Sequence, residues 1–296
     1  MSARRLGLFE PVPTGTDLPV LLLVDQRIAR RAEREDGLVT FRLQPWHGVV
    51  LVLVLVCAAG VAEAQSQSGQ PGIIATLIKW TPLLFGGFVF NLFISFVAIT
   101  IGTLAGVILG LAQISRRGMV RSAARLITHF FRNAPWLVLL FYCMFLLPIQ
   151  VRVGGLTIPL PDWVKATLGF ALPAMANVSE IVRGAVQSIQ TGQWESASAL
   201  AFTRRQTIWM IILPQCVKRM LPPWMNLYSI LTMATVLASI VGVSEVMTLA
   251  GEVLSAENRP ELLLPMYGYI LIWFFLYCYP IARWTVRLER KFGVNI

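Results

Sequence analysis

Apolar residues in this chain run in long blocks, without the alternation of strands or the single stripe of a soluble amphipathic helix. Six blocks stand out, near 47–63, 87–112, 130–148, 166–184, 226–247 and 265–283. Most approach the roughly 20 residues needed to cross a hydrocarbon core; the first is the shortest. Within the second, Ala98, Gly102, Gly106 and Gly110 recur at four-residue spacing. That puts small residues on one helix face and lets another helix approach closely. The polar run 65–72, QSQSGQPG, reads as a linker. Ile73 to Phe85 reads as a short apolar piece on the outer surface, interrupted by Pro82. Pro135 suits the first turn of the third span, where a missing N–H costs little. Gly154, Gly155, Pro159 and Pro161 make a turn-rich loop before the fourth. The pattern predicts an all-α integral membrane protein with about six transmembrane helices.

Composition agrees. Only 14% of the residues are charged and 56% are hydrophobic, whereas soluble domains carry about 25% charge. A net charge of +10 suggests nucleic acid at first sight, but its placement argues otherwise. If the amino terminus is inside, only Lys79, Arg152, Lys165 and Arg259 of the 25 Lys and Arg fall outside. That asymmetry is the positive-inside signature. It puts both termini and the loop near 190–215 in the cytoplasm, in a multi-pass inner-membrane protein. The first span has a competing reading. Cys57 to Ala64 ends an apolar run in small residues, as a signal peptide does before cleavage, although the charged leader would be long at about 45 residues. The divisions expected are a cytoplasmic tail at 1–45, a first span or uncleaved signal anchor at 46–64, and the membrane domain at 65–296.

Several chemistries are absent. Cys57, Cys143, Cys216 and Cys278 fit no metal spacing and read as small apolar fillers. His47 and His129 are too far apart in sequence to suggest a metal site. There is no G-x-x-x-x-G-K-[ST] phosphate loop, so the chain is not an ATPase, and no G-x-S-x-G nucleophile elbow. No cofactor is expected on this chain.

The cytoplasmic segment Glu195 to Pro214, ESASALAFTRRQTIWMIILP, is the most specific signal. Trp194 to Leu200 reads as one compact helix after Gly192. Thr203-Arg204-Arg205-Gln206 reads as a capping box opening a second, with Ile208, Ile211 and Ile212 toward the membrane domain and Pro214 near its end. This segment resembles the "EAA" loop of ABC-importer permeases: Glu-Ala-Ala, three residues, Gly, nine residues, Ile, one residue, Leu-Pro. Glu195, Ala197, Ile211, Leu213 and Pro214 match in register; Ser196 and Ala201 depart. The usual Gly permits a positive φ that costs Ala roughly 1 kcal/mol or more. Either the bend here avoids that conformation, or the helix is set at a different angle.

Three further stretches resemble the polar-amino-acid branch of that family. They are Phe131-Arg132-Asn133-Ala134-Pro135, Ser179-Glu180-Ile181-Val182-Arg183-Gly184 with Gly192-Gln193-Trp194-Glu195, and Ala238-Ser239-Ile240-Val241-Gly242-Val243-Ser244-Glu245. The resemblance covers about 75–290. It implies a five-helix type I importer core that takes up polar amino acids by alternating access. It also implies a periplasmic solute-binding protein, a second permease subunit, and cytoplasmic ATPases that use ATP and Mg. Glu195 would meet a basic group of the ATPase, with Arg204 in the same loop. The family's charged pair in the fifth span is missing at Met233-Ala234, which fits a heterodimer. Other solutes, such as an opine or a compatible solute, remain open, as does an ATPase-independent secondary transporter.

Acids in apolar spans need partners or a watery cavity. Glu180 has Arg183 three residues on, on the same helix face, so a helix-end ion pair competes with a place on the solute path. Glu245, near the outer end of the fifth span, either lines that path with Thr235 and Ser239 or caps the span and points at outer water.

Overall fold

The computed structural model describes residues 71–153 and 156–292. The expected first span at 47–63 and the tail lie outside the described residues.

Helix α1, Ile73–Gln113, has 41 residues and rises about 60 Å, twice the depth of a hydrocarbon core. It absorbs the piece at 73–85 that the sequence suggested was separate. Pro82 lies inside it. Proline inside a membrane helix is tolerated where neighbouring helices and side-chain hydroxyls restore the packing and hydrogen bonds. Here Leu77 and Trp80 before the proline, and Leu84 and Phe88 after it, share one cluster with Val246, Met266 and Ile270.

After a tight turn come α2, Gly118–Asn133, and α3, Trp136–Leu146. They meet at 104°, so the third span is an elbow and not one straight helix over 130–148. Proline drives the residue before it out of the helical region, and Ala134 is extended, with ψ 137°. An antiparallel hairpin follows, β1 Gln150–Val153 on β2 Leu156–Pro159, with Val151 opposite Ile158.

Helix α4, Asp162–Gln187, is the hub. The small face of α1 lies directly on it. A Cβ built on Gly102, Gly106 or Gly110 would come within 2.7, 2.6 and 2.7 Å of the Cβ atoms of Ala174, Val178 and Val182. Phe170, Ala174, Val178 and Val182 join Ile94, Ala98, Leu140 and Leu231 in one buried core. A buried polar triangle adds to it: Gln113 Nε2 donates to Thr128 Oγ1 and Ser179 Oγ at 3.0 and 3.1 Å, joining α1, α2 and α4.

The connection after α4 carries α5, Thr191–Ala199, and the short α6, Arg204–Gln206. A π-helical turn over Thr207–Ile212 leads into α7, Leu213–Ala234, and a 3₁₀ segment runs over Thr235–Val241. The chain turns at Gly242, with φ +86°. The fifth span therefore ends at 241, short of the expected 247, and Glu245 belongs to the next element. Helix α8, Val246–Glu257, closes at Asn258, and α9, Leu263–Phe292, is the last pass.

Among the described residues, α1, the run Arg204–Val241 and the run Pro260–Lys291 are long and apolar enough to cross a membrane, and the bent α2–α3 pair passes the same test only if it is taken as one span. Helix α4 is less apolar because the other passes wrap it. The fold is an all-α membrane domain with one small hairpin.

Candidate functional site

The loop between α4 and α7 is built as a bracket. Thr203 Oγ1 accepts from the Gln206 N–H while Gln206 Oε1 accepts from the Thr203 N–H at 2.9 Å, the reciprocal capping box expected from sequence. Helix α5 ends in two bonds of the Schellman type, Phe202 N–H to Ala197 O and Ala201 N–H to Ser198 O. That motif needs a left-handed residue, and Ala201 supplies it at φ +59°. The bend therefore keeps the conformation that Gly usually provides.

The bracket is bolted to the spans by an apolar knot. Ala185 and Val186 in the last turn of α4 and Ile189 just after it pack with Ile212 and Cys216, and Trp194 and Ile211 close over them. Arg204 lies over the Trp194 ring at 5.7 Å and donates to the Ile114 carbonyl at 3.0 Å. Ala197 is buried. Glu195 and Ser196 are exposed, and Glu195 has no ion-pair partner among the described residues. Leu213 is half-buried, and Pro214 lies in the first turn of α7. The second helix does not stop near Pro214, as the sequence suggested. The π turn, in which the Leu213 N–H reaches back to Ile208 O, carries the helix across the proline.

Above the knot, a polar cleft of about 550 Å³ opens between α2, α4 and α7. Its charged lining is Arg132, Glu180 and Arg219, with Asn177 and Asn226 beside them. Glu180 accepts from Arg183 Nε and Nη2 at 3.1 and 2.7 Å, and Arg132 Nη1 stands 3.5 Å away. Arg219 donates to the Ser188 carbonyl at 2.7 Å. Arg132, Asn177, Leu227 and Ile230 also line an adjoining hollow of about 500 Å³ with His129 and Trp136. Glu180 thus has the helix-end ion pair and a place on the cleft wall together.

Glu245 is elsewhere. It is fully buried and faces no outer water. Its Oε1 accepts from the N–H groups of Met247 and Thr248 at 2.9 and 3.1 Å, capping α8. Asn91 Nδ2 donates to its Oε2 at 2.7 Å and to Thr235 Oγ1 at 3.0 Å. Ser239 is turned onto its own helix, donating to Val236 O. The structure therefore gathers Glu245 and Thr235 around Asn91 but does not bring them to Glu180 and Arg183.

Asn91, Asn177 and Asn226 were missed from sequence. A signal existed for Asn91: an amide in a membrane helix demands a partner. Among the described residues, no group of three or more His, Cys, Asp or Glu is placed to hold a metal ion.

Residues 102–292 match the family model described as the binding-protein-dependent transport system inner membrane component. A probable amino-acid ABC transporter permease protein of Bacillus subtilis, YckA, is 36% identical over 171 residues, 57% of this chain and 73% of that protein. The L-cystine transport system permease protein TcyB of the same organism is 27% identical over 225 residues, 74% of this chain and 93% of that one. A solved amino acid ABC transporter crystallised with histidines superimposes with a TM-score of 0.61 at 25% identity, covering 73% of this chain and 96% of that chain.

Proposed function

This chain belongs to the family of binding-protein-dependent transport system inner membrane components, in its amino-acid ABC importer branch, and from that premise we propose how it works. It is the permease subunit that passes polar amino acids inward, paired with a second permease subunit and driven by separate ATPase subunits that bind the ATP and Mg. A periplasmic binding protein delivers solute to the outer face.

One observation carries this reading: an exposed helix, α5, tied to the inner ends of three membrane passes. Glu195 stands on its free surface while Trp194, Ala197 and Arg204 hold the other side to α4, α7 and the end of α1. A push on α5 is therefore delivered to the spans and not absorbed by a floppy loop. The free carboxylate suits a basic group on the ATPase. The cleft below α2 supports the solute half of the reading, because Arg132 and Glu180 offer complementary charges to a zwitterion.

The test is ATP hydrolysis and uptake by the complex co-expressed with its ATPase. Receptor-stimulated hydrolysis is expected for the wild type. Glu195→Ala should weaken the coupling of hydrolysis to uptake, and Glu195→Arg should release the ATPase or uncouple it. If both variants assemble and transport normally, α5 is a connector and an ATPase-independent carrier becomes the better reading.

A further inference from the structure

The elbow of α2 and α3 has features that solute transport does not use. Seen along its axis, α2 presents three faces. Ala124 and Thr128 are buried against the domain. Met119, Leu126 and Phe130 form a second face and are 89%, 72% and 63% exposed. Arg121, Arg125 and His129 follow at four-residue spacing on the third. From Gln113 to Asn133 the sequence contains no Asp or Glu. Arg116, Arg117, Arg121 and Arg125 are exposed and have no acidic partner among the described residues.

An amphipathic helix with a basic face and a bare apolar face lies in the plane of a membrane surface. The 104° elbow gives α2 that orientation when α3 stands along the membrane normal. Inside the elbow is an apolar groove of about 910 Å³. Ile101 and Ala105 form one wall, Val138 and Tyr142 the other, and Leu172 and Met175 the floor. Phe130, His129 and Asn133 lie at its α2 end. The 11 residues of α3 rise about 16 Å, close to one leaflet of a hydrocarbon core about 30 Å deep.

We propose that this elbow is a binding site for an anionic phospholipid of the inner leaflet, with an acyl chain in the groove between α1 and α3 and the phosphate on Arg121 and Arg125. Charge selects the occupant. A zwitterionic lipid fills the groove equally well, but its own cation cancels the phosphate charge and adds no net negative charge beside Arg121 and Arg125. A second permease subunit seated in the groove would have to cover those arginines with acids.

The experiment uses the full chain in its complex, exchanged into vesicles of equal parts phosphatidylglycerol and phosphatidylcholine. Lipid retained after mild detergent extraction is identified by native mass spectrometry. Phosphatidylglycerol should be retained in preference to phosphatidylcholine. Arg121→Gln and Arg125→Gln should each reduce that retention roughly five-fold. Ala105→Trp, which fills the groove without touching the charge, should abolish it. Equal retention of both lipids would overturn the proposal. So would retention unchanged in the arginine variants, or a disulfide from Val138→Cys to a cysteine engineered in the second permease subunit. None of these readouts depends on transport, so the coupling-helix reading stands or falls separately.

Discussion

Asn91 and Glu245, which are 154 positions apart, meet side chain to side chain at 2.7 Å in the buried interior, and the same amide accepts the Val246 N–H at 3.2 Å through its oxygen. Asn91 therefore uses both ends of its amide to fix the start of α8 against α1. Glu245 has three of its acceptor directions filled, two by its own helix. A carboxylate so occupied is a poor solute ligand and a strong joint.

The joint makes a discriminating prediction. Glu245→Ala leaves the Met247 and Thr248 N–H groups without acceptors and takes from the Asn91 amide one of its two, the other being Thr235 Oγ1. An unsatisfied buried group costs about 1–3 kcal/mol, so a large fall in thermal midpoint is expected in detergent. Asn91→Leu should fall similarly, because it strands Glu245 and the Val246 N–H. Glu245→Gln, which keeps one acceptor oxygen for the α8 cap, should lose less. A normal midpoint with uptake alone abolished would instead place Glu245 on the solute path.

Ala201 predicts in the opposite direction. At φ +59° it holds a left-handed conformation that favours glycine. Ala201→Gly relieves the Cβ strain but loosens the unfolded chain, leaving a net gain of about 0.5–1 kcal/mol. Ala201→Val adds a β-branch to the same conformation and should lower the thermal midpoint. Denaturation of the purified subunit reads both. If the glycine variant is less stable, the bend is not strained.

Gly106 tests the seam between α1 and α4. A Cβ there would come 2.6 Å from Val178 Cβ and 2.7 Å from the Met175 carbonyl oxygen. The backbone cannot yield to that, so Gly106→Val should cost more than the 1–3 kcal/mol typical of overpacking. Gly86→Val makes the control, since nothing lies within 4 Å of its Cβ position. Comparable yields of folded protein from the two variants would show that the seam can open to admit a side chain.

How much of this was legible differs from element to element. The small-residue face of α1 and the capping box at Thr203 were readable, because both are local patterns whose geometry follows from spacing. The elbow at Pro135 was not. Hydropathy is blind to direction, and an apolar block reads the same whether it runs straight or turns through 104°. Glu245 shows the same limit: its place near the end of an apolar block suggested water, while its true partner, Asn91, is far away in sequence. The continuity of α1 through Pro82 likewise rests on packing by α8 and α9, which no local rule contains. For the loop, the register of Glu195 to Pro214 was readable. That Ala201 keeps the left-handed turn was not, because the cost of about 1 kcal/mol is small beside what the knot under Trp194 can supply.

Glu257 yields a prediction about pH. Its carboxylate accepts from Lys79 Nζ at 2.8 Å and from Trp80 Nε1 at 2.7 Å, clasping the end of α8 to the start of α1. The bond from Lys79, then that from Trp80, holds its carboxyl below the ordinary 4.5. A carboxyl whose folded value is depressed binds its proton more readily in the unfolded chain. Its contribution is therefore complete above the unfolded value and lost as pH falls through the folded one. Exposed pairs of this kind contribute at most about 1 kcal/mol, so the effect is modest. At neutral pH, Glu257→Gln should melt a few degrees below wild type. The gap should narrow as pH drops below 4.5. Added salt should also narrow it at neutral pH, because exposed charges are screened. A gap that is constant across this range would assign the loss to the Trp80 hydrogen bond and packing, with no part for the charge.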